Sequence, residues 1–195
     1  MKRILVFGDA HIPSRRDSIP RDFYKHIEAA NYDFALVTGD LIREVEMRAA
    51  MPELPKCYMV QGNMDYGRGY HFHEQMQIEE LNFLLLHGTQ LRPRGNIKQF
   101  WEIIMEVGAD VGIHGHTHRP AVELHEGRLF LNPGTVSGAT GGWSGRDDAS
   151  FIELEIEGFE LKVTLFYTDW QVTKRSELKF MKNLGEMISQ QTANT

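Results

Sequence analysis

Short apolar runs punctuate the chain at residues 4–7, 34–37, 57–60, 83–86, 111–113 and 129–131. Each is strand-length and apolar at consecutive positions, as strands covered on both faces require. Helical spacings lie between some of them. Phe23, Ile27 and Ala30 repeat at four and three, with Pro20 just ahead. Ile97, Phe100, Ile104 and Val107 form a clearer stripe that Gly108 stops, and residues 43–51 form a weaker helical segment before Pro52. Residues 151–156 and 161–166 alternate apolar with polar around Gly158, which predicts an antiparallel hairpin with one wetter face. The spacing of Leu178, Met181, Leu184 and Ile188 predicts a helix within residues 176–190, docked on its own domain. Residues 134–150 are rich in Gly, Ser and Thr and read as a long flexible loop.

No repeat or linker divides the 195 residues, so the expectation is one α/β domain, with a core at 1–168 and a tail at 169–195. The composition, 42% hydrophobic and 25% charged, is that of a soluble globular protein. A single cysteine, Cys57, excludes a disulfide framework and a thiolate zinc cluster. The net charge of −6 argues against gripping long nucleic acid through the overall field, but not against a small phosphorylated substrate at a local site. The first apolar run is too short for a signal-peptide core, and no stretch approaches a membrane span, so a cytoplasmic setting without a membrane partner is expected.

The chemistry lies just past the end of each run. The first leads into Gly8-Asp9-Ala10-His11 and the second into Thr38-Gly39-Asp40. The third leads into Gln61-Gly62-Asn63-Met64-Asp65, the fourth into His87-Gly88, and the fifth into His114-Gly115-His116-Thr117-His118. Open α/β sheets gather their sites at the carboxyl ends of strands, so these side chains can meet. Asp9, His11, Asp40, Asn63, His87, His116 and His118 are seven candidate ligands, too many for one tetrahedral ion and suited to two ions sharing a carboxylate. Carboxylate and imidazole without thiolate favour Mn²⁺, Ni²⁺, Fe, Zn²⁺ or Co²⁺. Mg²⁺ is less suited to so many imidazoles.

These motifs, in this order, resemble those of calcineurin-like metallophosphoesterases, and most of all the small single-domain phosphodiesterases of bacteria and archaea. Asn132-Pro133-Gly134-Thr135 resembles the Asn-Pro-Gly-Ser turn of that subgroup. The resemblance implies a four-layer αββα sandwich of two mixed sheets, with a dimetal centre at one edge. It implies Asp9, His11 and His118 on one ion, Asn63, His87 and His116 on the other, and Asp40 between them. Manganese is the first expectation for both. Asp40, Asn63 and His116 are also the catalytic candidates. A metal-bridging hydroxide would attack a small phosphodiester in line, with no covalent intermediate. Self-association as a homodimer is also implied.

One departure stands out. Many members carry a histidine where this chain has Met64, which cannot protonate a leaving group. His114, His71 and His73 are the substitutes by sequence proximity. Asp65 reads as a partner orienting a ligand. Arg15, Arg16, Arg21 and Arg119 could meet a substrate phosphate, although a solvated basic turn is the simpler reading. His26 and His125 read as solvated. A metallo-β-lactamase site would need an Asp-His soon after His118, where Arg119-Pro120 stands. Two alternatives remain. One is a non-catalytic scaffold like the retromer subunit that shares this fold, disfavoured by the complete ligand set. The other is a metal-dependent nuclease.

Overall fold

Parity along each apolar run decides the layers, because successive strand residues point to opposite faces. In β1 (Lys2–Phe7), Ile4 and Val6 face one way and Leu5 and Phe7 the other, yet all four are fully buried. The computed structural model, which describes residues 1–65, 69–142 and 145–190, shows what covers each side. Ile4 and Val6 join Leu36 on β2 (Phe34–Val37) in a core between two sheets. From the other sheet come Phe83 and Leu85 on β5 (Leu81–Leu86), Ile113 on β6 (Val111–Ile113) and Leu131 on β8 (Arg128–Asn132). On the outer side, Leu5, Phe7, Ala35 and Val37 pack under Phe23 and Ile27 of α1 (Arg21–Ala29) and Met47 of α2 (Glu44–Ala50). The second sheet's outer face is covered by Phe100 and Ile104 of α3 (Ile97–Val107), against Leu84, Leu86 and Phe130. The result is the four-layer αββα sandwich.

The larger sheet has the order β12 (Glu186–Gln190), β11 (Thr173–Asn183), β10 (Glu160–Thr168), β9 (Ala149–Glu157), β1, β2, β3 (Cys57–Met59), and the smaller the order β4 (His73–Ile78), β5, β6, β8, β7 (Ala121–His125). Strands β1, β2 and β3 run parallel, while β9 joins β1 antiparallel with Ile4 opposite Leu154. Strands β5, β6 and β8 are likewise parallel. Edge strands β4 and β7 were not marked by any apolar run, because most of their side chains are only half-buried or exposed. Helix α3 ends as its sequence signals: the Asn96 side chain accepts from Gln99 N, and Gly108 turns left-handed at φ 70°. No helix among the described residues is long and apolar enough to cross a membrane.

The tail differs from its expected helix. After β10, the chain forms β11 and β12, a hairpin that extends the larger sheet. The helical spacing was accidental: Leu184 is 97% exposed at the hairpin tip. The buried residues are instead Phe180 and Met187, which complete the core between the sheets. Leu184 and Gly185 both take left-handed φ, 50° and 84°, the geometry of a two-residue turn matched to strand twist. Lys182 then crosses to the smaller sheet and donates to the buried Asp110 carboxylate at 2.9 Å.

Candidate metal centre

Five of the seven candidate ligands sit on left-handed backbone: Asp9 (φ 48°), His11 (46°), Asp40 (55°), His116 (68°) and His118 (61°). Asp and His tolerate this region better than branched residues do, but each position still costs about 1 kcal/mol or more. Hydrogen bonds from the scaffold hold them there. Asp9 N donates to Gly39 O and His11 N to Asp40 O, both at 2.9 Å. Close approach explains two of the glycines. A Cβ on Gly115 would lie 2.5 Å from Thr38 Oγ1 and 2.7 Å from Asp9 Oδ2. One on Gly62 would overlap the Asp40 amide and carboxylate.

The turns bring two groups of donors together. Asp9, His11 and His118 form one, and Asp9, Asp40 and His87 the other, with donor atoms in each group within 4.8 Å of one another. His11 Nε2 and His118 Nε2 face each other at 3.3 Å, and Asp9 Oδ1 lies 3.4 Å from the latter. Asp40 Oδ2 stands between the groups, 3.4 Å from His11 Nε2 and 3.6 Å from His87 Nε2. Asn63 Oδ1 is 3.3 Å from His87 Nε2. The His116 ring packs edge-on to His87 at 5.0 Å, and its backbone N–H holds Asp9 Oδ2 at 2.9 Å. Donor atoms of five of the seven expected residues therefore converge, and Asn63 and the His116 ring both lie against His87.

The outer atoms of His87, His118 and Asp40 are fixed. His87 Nδ1–H donates to Thr38 O at 2.7 Å and His118 Nδ1–H to Ala139 O at 2.5 Å, which leaves both Nε2 lone pairs facing inward. Asp40 Oδ1 accepts from Met64 N at 2.8 Å, so its Oδ2 is the free oxygen. Asp65 is not among the donors. Its carboxylate accepts from four backbone amides, Asp40 N (2.6 Å), Leu41 N (2.8 Å), Ile42 N (3.0 Å) and Gly62 N (3.0 Å), and so shapes the turn that carries Asp40.

The electrostatics are those of a cation site. Burial pushes the Asp9 carboxyl up and the Asp40 carboxyl up to about 6. Burial, then the nearby Arg15 guanidinium, pushes the His11 imidazole down to about 2. Burial and the neighbouring His87, then Arg94, hold His116 at about 4. A divalent ion binds neutral imidazoles, and its charge offsets the burial that otherwise favours the protonated form of these two carboxyls. Asp9 Oδ1 is buried without a hydrogen-bond partner. This buried, unpartnered oxygen and the imidazoles around it fit a divalent ion.

The other singled-out residues divide. Arg15 is half-buried at the edge of the centre: its Nη1 lies 3.4 Å from His11 Nε2 and donates to Thr140 O at 2.6 Å. Arg16 holds the Gly138 and Gly145 carbonyls, while Arg21 is exposed on α1. His114 is buried, pushed down to about 4 by that burial, and its Nδ1 meets Asn132 Nδ2 and Gly115 O. His71 and His73 are exposed, and His71 is paired with Glu74 at 2.6 Å. His26 is not solvated as expected: it bonds Glu153 at 2.6 Å and packs on Phe166. Residues 134–140 are likewise not a loose loop. They are buried, with Thr135 Oγ1 on Asp9 O and Ser137 Oγ on Ala10 O. The supporting carbonyls of Thr38 and Ala139 have no residue-type signal, so sequence could not reveal them.

The family model for the calcineurin-like phosphoesterase superfamily domain matches residues 1–158. The chain belongs to that superfamily. A probable metallophosphoesterase of Methanothermobacter thermautotrophicus is 35% identical to this phosphoesterase-family chain over 170 residues, 84% of this chain and 91% of the relative. Among solved structures, a Vps29 point variant from Entamoeba histolytica is 28% identical with a TM-score of 0.84, over 91% of this chain and 99% of its own. Wild-type Vps29 of the same organism, complexed with Zn²⁺, is 27% identical with a TM-score of 0.81, over 91% and 98%. Membership supports a phosphoesterase hydrolase in general, and two groups of residues that could hold divalent ions are present.

Proposed function

We propose that this chain is a dimetal phosphodiesterase acting on small phosphodiesters. The observation that supports the reading is the convergence of Asp9, His11, Asp40, His87 and His118, with Asn63 and the His116 ring against His87 and Asp9 Oδ1 buried without a hydrogen-bond partner. Asp9, His11 and His118 would hold one ion, Asn63, His87 and His116 the other, and Asp40 Oδ2 would serve both, with manganese the first candidate for each. Two such ions supply an acidified water and neutralise charge on the phosphoryl oxygens. The chain's own residues do the rest. Thr38 O and Ala139 O fix the rings of His87 and His118, and Met64 N fixes the rotation of the Asp40 carboxylate. Arg15, held by Thr140 O beside His11, orients a phosphoryl oxygen with its guanidinium. Met64 offers no proton and His114 Nδ1 is engaged elsewhere, so the reading favours diesters with an acidic leaving group.

The protein stripped with chelator and reloaded with Mn²⁺ should hydrolyse bis(p-nitrophenyl) phosphate, and chelator should stop it. Inactivity with Mn²⁺, Ni²⁺, Fe²⁺, Zn²⁺ and Co²⁺ alike would move the assignment to the second reading, a protein-binding scaffold. The likeness to Vps29 favours that alternative; the complete donor set favours the hydrolase.

A further inference from the structure

Beside the centre lie two adjoining clefts of about 710 Å³ and 440 Å³ that share Thr117, Arg119 and Pro120. The larger opens directly on His118, and the smaller continues to Arg94, Ile97 and Ala121. One groove therefore begins at a metal-ligand candidate and ends in a recess within the ~300–1,000 Å³ range of small-molecule sites.

Charge is unevenly spread along it. The larger cleft carries Asp147 and Asp148 beside Arg146, whose guanidinium is committed to the Trp170 ring at 4.1 Å. The smaller holds two arginines, Arg94 and Arg119, against one carboxylate, Glu123. Neither guanidinium has a hydrogen-bond or ion-pair partner among the described residues; the bonds of Arg119 run through its backbone. Arg94 leans across the groove, so that a methyl group added to Gly141 would lie 3.9 Å from its Nη1. Ile97, Pro120 and Ala121 supply apolar wall beside these cations. Two free planar cations next to a small apolar surface suit an anion attached to a flat, weakly polar group.

We propose that this recess is a subsite for a second phosphate-bearing nucleotide unit of the substrate. Its phosphate rests on Arg94 and Arg119, and its base or sugar lies against Ile97, Pro120 and Ala121. The preferred substrate is then a short oligonucleotide with a terminal phosphate, rather than a cyclic nucleotide or an isolated diester. Two cations match one added phosphate, and the −6 net charge of the chain disfavours a long polyanion. This inference rests on the phosphodiesterase reading for its scissile bond.

The test compares ApA with ApA phosphorylated at its 5′ or 3′ end, on the Mn²⁺-loaded protein and on Arg94→Gln/Arg119→Gln. Bis(p-nitrophenyl) phosphate serves as the reference for hydrolysis itself. One phosphorylated form should exceed ApA in kcat/KM by about tenfold or more, and the double variant should bring that ratio close to one. Metal-stripped protein should bind the same fluorescently labelled form about tenfold more tightly than the variant does. Equal rates on ApA and both phosphorylated forms, with the aryl diester still cleaved, would overturn the subsite and leave the phosphodiesterase reading standing. If nothing is cleaved, that reading fails, and equal binding by the stripped wild type and variant would overturn the subsite as well.

Discussion

Replacing Asp65 by alanine removes the acceptor from four backbone amides at once. The carboxylate is 1% exposed, with Oδ1 on Leu41 and Ile42 and Oδ2 on Asp40 and Gly62. A net value of about 1 kcal/mol per bond gives about 4 kcal/mol, with water entering the small space as the offset and charge assistance as the increment. That is a large share of a folding free energy of about 5–15 kcal/mol. For a chain of this size it corresponds to a fall in Tm of about 8–16 °C. Asp65→Asn keeps one acceptor oxygen and turns an N–H toward the other pair of amides, so about half or more of the loss should remain. Urea unfolding followed by circular dichroism on metal-stripped protein measures both variants without any contribution from bound ions. The same loosened turn carries Asp40, so Mn²⁺ affinity of Asp65→Ala should fall roughly 10–100-fold in calorimetry. An alanine variant within 1 kcal/mol of wild type, binding Mn²⁺ normally, would refute the view that this carboxylate builds the turn.

Three further outcomes are expected from the geometry. Under the proposed dimetal reading, Asp40→Ala should empty both ion positions, because Oδ2 faces His11 and His87 together; elemental analysis still finding two ions per chain would rule out the shared role proposed for Asp40. Burial raises the Glu153 carboxyl, but hydrogen bonds from Tyr32, Arg3 and His26 outweigh it and hold the group below its ordinary 4.5. A depressed folded value stabilises fully above the unfolded value and is lost as pH falls through the folded one. The Tm gap between wild type and Glu153→Gln should therefore be widest above pH 5 and shrink below about 4.5, and a gap that is flat across this range would contradict the assignment. Gly185→Ala places a Cβ at φ 84° and should cost about 1 kcal/mol, read as a Tm about 2–4 °C lower; no change would mean that the tail hairpin unfolds apart from the rest.

The turns that carry the candidate ligands were legible because each joined a strongly apolar strand to a glycine and a donor, two signals of different physical origin. Strands with one wet face, β4 and β7, carried no such apolar contrast. The tail misled because Leu178, Met181, Leu184 and Ile188 fall at helical intervals by chance. The deciding residue there was Gly185, whose left-handed turn reverses the chain. Glycine content at 134–150 suggested mobility, whereas Thr135 and Ser137 hydroxyls bind the first stretch to the backbone of Asp9 and Ala10. Arg15 looked like one of several exposed cations, but a local turn, with Arg15 N donating to His11 O at 2.9 Å, brings its guanidinium back to His11.

The left-handed turns under Asp9, His11, Asp40, His116 and His118 are set by the surrounding backbone. Such a frame has little freedom to rescale its donor spacing when one element replaces another. If these residues hold metal as proposed, choice among Mn²⁺, Fe²⁺, Zn²⁺ and their neighbours would then fall to radius and preferred coordination shape rather than to intrinsic affinity, which for these donors rises toward the later elements of the row.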